Sequence, residues 1–166
     1  MATMQKIKSN LWFDKNAEEA VNFYISIFKH SKIINKSYYG KEGFEIHGMP
    51  EGTVLTTEFE LEGQRFVALN GGPAFRFNEA ISFIIECTSE EELDYYWEKL
   101  TSGGDKNAQQ CGWLKDKFGV SWQVEPEELA KMLNDPDKEK TERVMKALLE
   151  MKKLDIKKLR AAFEGK

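Results

Sequence analysis

The stretch IKSNLWFDKNAEEAVNFYISIF, residues 7–28, changes its period halfway along. Ile7, Ser9, Leu11 and Phe13 alternate with Lys8, Asn10 and Trp12, the two-residue period of a strand. Asn16 then stands at a helix start, with Glu19 three residues on in the capping-box position. Ala17, Ala20, Val21, Phe23, Tyr24, Ile27 and Phe28 follow at helical spacing. The opening unit reads as strand, short loop, amphipathic helix.

Outward from there, Ile33–Tyr39 predicts a second strand, and the glycines at 40, 43, 48 and 52 make 40–52 a loop. Residues 54–61 and 64–70 predict two strands joined by a tight turn at Glu62-Gly63. The breaker Asn70-Gly71-Gly72-Pro73 ends this run, and the pattern then restarts. Residues 80–87 predict a strand. Ser89 caps a helix with Glu92 in the capping-box position, and Leu93, Tyr96, Trp97 and Leu100 form its apolar stripe. Residues 108–114 and 120–125 predict strands around the turn at 115–119, with a further short strand beside it. The repeat of strand, helix and about three strands, offset by roughly 70 residues, is the chain's main organisational feature. Beyond it, Pro126 is expected to open a helix, Asp135-Pro136 a second and Asp155 a third.

Composition mainly excludes. The chain has 166 residues, 31% of them charged, with a net charge of −4. No positive excess is available to neutralise phosphates, so no nucleic-acid partner is expected. Two Cys and two His argue against a disulfide scaffold and a Cys/His zinc site. The longest apolar runs fall far short of the ~20 residues of a membrane span, and no apolar stretch follows the early lysines. A cytoplasmic protein with reduced thiols and no membrane partner is expected.

The segments Asn10 to Tyr24, Leu69 to Ala80 and Cys111 to Gln123 resemble PhnB-like proteins of the vicinal oxygen chelate superfamily, which includes glyoxalase I and bleomycin-resistance proteins. The resemblance implies an α+β fold in which paired βαβββ modules form a half-barrel cleft. On this reading 1–126 is the glyoxalase-like domain, with modules at about 6–72 and 79–126. Residues 127–166 form a C-terminal helical extension. The resemblance also implies a homodimer. Many members carry the label 3-demethylubiquinone-9 3-methyltransferase. The segment Phe13-Asp-Lys-Asn-Ala17 lacks the glycine-rich turn that a Rossmann-like methyltransferase requires.

Enzymes of this superfamily bind a divalent ion through four cleft positions. Carried over by strand register, these fall at Lys8 or Asn10, at Ala68 with Asn70 beyond it, at Ala80 with Ser82, and at Gln123. None is His, Asp or Glu, so neither a metal nor another cofactor is expected. His30 and His47 are expected on the surface, away from the cleft strands. The cleft face is expected to carry Asn10, Trp12, Asn70, Ser82 and Gln123, with Trp113 at its edge. Hydrogen-bonding groups beside aromatic rings suit a small, partly aromatic ligand. The alternative is that these side chains satisfy one another in a filled core. Trp97 and Trp122 are expected to anchor the core, Asp116 to bind its own turn, and Cys87 and Cys111 to be inert. No catalytic residue is assigned. Glu86, with the strand parity of Ser82, is the best-placed acid–base candidate if the chain is a small-metabolite enzyme. A third reading is a structural dimer that uses the helical tail as its contact.

Overall fold

Alternation decides which side of each strand is buried. In the computed structural model, β1 (Ser9–Phe13) buries Leu11 and Phe13 and leaves Asn10 exposed. Residues 5–166 are described; Met1–Met4, read above for a targeting signal, lie outside the described residues. The chain divides after Arg76 into two compact units.

The first unit is βαβββ. After β1 come α1 (Ala17–Ile27), β2 (Ser31–Tyr38), the short helix α2 (Phe44–His47), β3 (Val54–Leu61) and β4 (Gln64–Asn70). The helix α2 lies within the stretch read as a loop. The sheet order is β1-β4-β3-β2, with β1 parallel to β4 and the other pairs antiparallel. Glu62 (φ 45°) and Gly63 (φ 80°) both take positive φ, the primed turn that matches hairpin twist. The core packs α1 on one sheet face through Ala17, Ala20, Val21, Tyr24 and Ile27, against Leu11, Phe13, Phe59, Leu61, Phe66 and Ala68. Asn16 holds the N-cap position, but its side chain makes no cap bond. The expected capping box is replaced by a long-range bond from β4, described below.

The second unit begins with β5 (Phe83–Cys87), α3 (Glu90–Thr101), β6 (Trp113–Lys115) and β7 (Ser121–Pro126). Its sheet has three strands in the order β5-β7-β6. Ser89 accepts a hydrogen bond from the Glu92 N–H at 3.2 Å, so the Ser89 cap forms as read, while the Glu92 carboxylate accepts from the Thr88 N–H at 2.7 Å in place of the Ser89 N–H of a capping box. The strand expected over 108–114 forms only at its end, as β6. Lys106–Ala108 is a 3-10 turn, and Gln110 makes only an isolated bridge to Trp113. Pro126 ends β7 instead of opening a helix. It lies beyond the ladder with β6 and opposite Cys87, where its missing N–H costs no pairing.

The tail forms α4 (Leu129–Leu133), α5 (Lys138–Leu149) and α6 (Ile156–Glu164). Asp137, not Asp135, caps α5, and Asp155 caps α6 as read. The tail docks within its own unit. Met151 O accepts from the Cys111 N–H and Lys152 O from the Gly112 N–H, both at 2.8 Å. Glu90 accepts from the Ile156 N–H at 3.0 Å, and Lys153 pairs with Asp94. Val144, Leu148, Leu154, Ile156 and Leu159 are buried. Gly112 is obligatory here: its φ is +83°, and a Cβ would come within 3.0 Å of Val124 O and 3.1 Å of Leu154. Among the described residues no helix is long and apolar enough to cross a membrane.

Candidate functional site

Each sheet has one face covered by its helix and one opposite it. Most of the predicted site residues lie on the opposite faces.

In the first unit, Asn10 and Trp12 point away from α1, beside their lateral neighbours Val67 and Leu69. The Trp12 indole N–H donates to Gly72 O at 2.8 Å. Gly71 passes so close that a Cβ there would lie 2.3 Å from the Trp12 ring. The Phe75 ring meets Trp12 edge-on, with centroids 4.9 Å apart and planes at 81°. Two residues before Asn10, the Lys8 ammonium donates to Glu58 at 2.7 Å. That bond, with the charges of Lys8 and then Arg65 added, holds the Glu58 carboxyl below its usual range against the opposing effect of burial.

Asn70 departs from the expected arrangement. It pairs laterally with Phe13, not Trp12, so its side chain shares the helix-covered face. It is 2% exposed, accepts from the Ala17 N–H at 2.9 Å and donates to Val54 O at 3.0 Å. These two bonds commit the amide to the fold. Ala68 lies on the same covered face, fully buried.

In the second unit, Ser82 and Gln123 come together: the Gln123 amide donates to Ser82 Oγ at 2.9 Å. Trp113 is the lateral neighbour of Gln123 and lies half-buried on the same face. Glu86 and Glu125 pair laterally one step further along β5 and β7. Burial, and then the charge of Glu86, push the Glu125 carboxyl above its usual range. The parity of Gln123 locates Glu125, the last residue of the strand predicted over 120–125. Phe75 carried no periodic signal, since it lies in the irregular segment after Gly72.

Other residues serve the fold. Asp116, 2% exposed, accepts from the Phe118 and Val120 N–H groups and, at 2.8 Å, from the buried Trp122 indole. Burial first, and then Glu92 and Glu125, push the Cys87 thiol up to about 12. The His47 ring lies tilted against Tyr39, with centroids 4.5 Å apart, and accepts from the Met49 N–H at 3.0 Å, pinning the loop around α2.

The carried-over metal positions do not present a divalent-ion donor set. Lys8 is a paired cation, the Asn70 amide is spent in the core, and Gln123 bonds Ser82. Among the described residues no three His, Cys, Asp or Glu side chains converge. No reaction step is therefore routed through a metal.

Comparison with known proteins adds the family. A family model described as 3-demethylubiquinone-9 3-methyltransferase matches residues 5–125. The structure of the PhnB protein from Bacillus cereus is 38% identical over 73% of this chain and 99% of its own, with a TM-score of 0.62. A Pseudomonas aeruginosa protein is 18% identical over 74% of this chain and 98% of its own, at 0.52. The fosfomycin resistance protein FosX from Listeria monocytogenes is 21% identical over 81% of this chain and all of its own, at 0.50. The last two show likeness of fold alone. A search of curated proteins gave no match.

Proposed function

We propose a ligand-binding function for this chain, which belongs to the family described as 3-demethylubiquinone-9 3-methyltransferase. It binds a small, partly aromatic molecule on the sheet face that carries Asn10 and Trp12; Ser82, Trp113 and Gln123 offer a face of similar composition within the other unit. The observation that carries this reading is the Trp12 ring, fixed by its bond to Gly72 on a face that also presents an exposed amide. Rigid aromatic surface beside a few polar groups is the composition of small-molecule sites. Methyl transfer is not part of the proposal: the β1–α1 connection, Asp14-Lys15-Asn16, lacks glycine, and each sheet mixes parallel and antiparallel pairs. The protein acts in the cytoplasm as a homodimer. Light scattering after size exclusion tests the dimer, and a monomer mass would remove it. Thermal-shift screening with quinones, phenols and planar antibiotics tests binding. Saturable stabilisation by one class is expected; if none of them binds, the proposal is lost.

A second reading is favoured by one observation. Glu86 and Glu125 stand side by side, and Glu125 holds its proton more tightly than an ordinary carboxyl. A carboxyl that holds its proton tightly, beside a second carboxyl, suits proton transfer in a small-metabolite enzyme. Turnover abolished by both Glu125→Gln and Glu86→Gln, in protein that still binds ligand, would favour this reading over simple binding.

A further inference from the structure

We infer that Trp12 and Phe75 form an aromatic clip for a flat, uncharged ring system bearing one hydrogen-bonding group, with Asn10 as its polar contact. The inference rests on the binding function proposed above and adds a residue, a geometry and a ligand class to it.

Trp12 cannot turn away. Its N–H is spent on Gly72 O, and Gly71 lies against its ring without even a Cβ between them. With the N–H spent, the indole offers only π surface, so it recognises flatness and not a hydrogen-bonding pattern.

Phe75 differs from Trp12 in its setting. It is a large apolar ring that remains 65% exposed, in the irregular segment that follows the Gly71-Gly72 strap. Its ring stands nearly perpendicular to Trp12, 4.9 Å away. A flat ring laid on the indole therefore meets Phe75 as an upright wall, a preferred aromatic arrangement.

The polar end follows from strand geometry. Asn10 lies on the same face as Trp12, two residues earlier, which places its exposed amide ~7 Å along the strand. A substituent oxygen on a bicyclic aromatic reaches ~5 Å from the centre of its far ring, which leaves about one hydrogen-bond length to that amide. Beyond Asn10, the Lys8 ammonium and the Arg65 guanidinium both turn to Glu58, so the cation nearest the clip is bound to a carboxylate and not aimed at the ligand. The ligand class is a neutral phenol, naphthol or quinone.

The test uses the full chain and 2-naphthol, with decahydro-2-naphthol as a partner of similar size without a flat ring. The chain has four tryptophans, whose indole N–H resonances report separately once Trp12→Phe has identified that of Trp12. The expected result is saturable binding of 2-naphthol that moves the Trp12 resonance, with decahydro-2-naphthol far weaker. Phe75→Ala and Phe75→Leu should each weaken binding about fivefold. Because Phe75 is exposed, both variants should keep the parent melting temperature. If the Trp113 resonance moves and Trp12 does not, the clip is wrong while the proposed function stands. The clip is equally wrong if both naphthol forms bind alike, or if the Phe75 variants keep full affinity but change the oligomeric state. If neither 2-naphthol nor any compound of the wider screen binds, both readings fall together.

Discussion

The side-chain oxygen of Asn70, the last residue of β4, accepts the Ala17 N–H at the start of α1 from 53 residues away. The same amide donates to Val54 O, the first residue of β3. One buried side chain thus ties a helix start to two strands. Asn70→Ala leaves both backbone groups unpaired in the core and is expected to cost about 2–3 kcal/mol, measured by urea unfolding. Asn70→Asp keeps the acceptor but loses the donor and buries a charge, so it should not restore stability.

Asp116 is the acceptor for three donors, two backbone N–H groups and the Trp122 indole. An amide has only one oxygen, so Asp116→Asn must turn its NH2 toward one of them. The expected loss is about 1–3 kcal/mol, accompanied by a change in Trp122 fluorescence. A neutral outcome would mean that the carboxylate is not needed there.

Glu125 gives a pH dependence of fixed sign. Its carboxyl in the folded state titrates above the usual value of 4.5, through burial and then the charge of Glu86. The folded state therefore holds this proton more tightly than the unfolded chain. The resulting stability is present below the ordinary carboxylate range and is lost as pH rises through the folded value. Glu125→Gln should raise the urea midpoint relative to the parent at pH 7 and lose that advantage at pH 4. Equal differences at both pH values would contradict this.

Thr57 is fully buried, and its hydroxyl has no hydrogen-bond partner. Thr57→Val replaces that hydroxyl with a methyl of similar size. A gain of about 1 kcal/mol is expected in the same unfolding assay, with little change in the slope against urea.

The two thiols should separate under alkylation. Cys87 is buried, with its pKa pushed up to about 12, so it is protonated and inaccessible at pH 8. Iodoacetamide is expected to modify at most Cys111 in the native protein, and Cys87 only in denaturant. Mass spectrometry of the native reaction would reveal any attack on Cys87.

The fold was legible where alternation was long and the partners were local. The hairpin of β3 and β4 was read at its observed limits because both strands alternate and Glu62-Gly63 can adopt positive φ. The helices α1 and α3 followed from their stripes. The sequence failed at Gln110–Gly112, where the partner that satisfies the backbone is the tail, about forty residues away, so no local period marks it. It failed at Asn16 for the same reason: the cap comes from Asn70. Of the candidate site, strand parity is enough to put Asn10, Trp12 and Gln123 on the face opposite the helix; Trp113, expected at the edge, shares the face of Gln123, and Ser82 lies just before β5. Parity misplaces Asn70, because the phase of β4 is set by its register with β1, and one step of register turns every side chain over.

The family match stops at residue 125, yet the backbone of Cys111 and Gly112, inside that match, is completed by Met151 and Lys152, outside it. The inherited module and the cooperative unit therefore have different boundaries. A fragment cut where the family ends would keep every residue that the family shares, but would expose two unpaired amides and the apolar seat of Leu154. Its expected failing is self-association, arising in the part of the chain that the family model describes best.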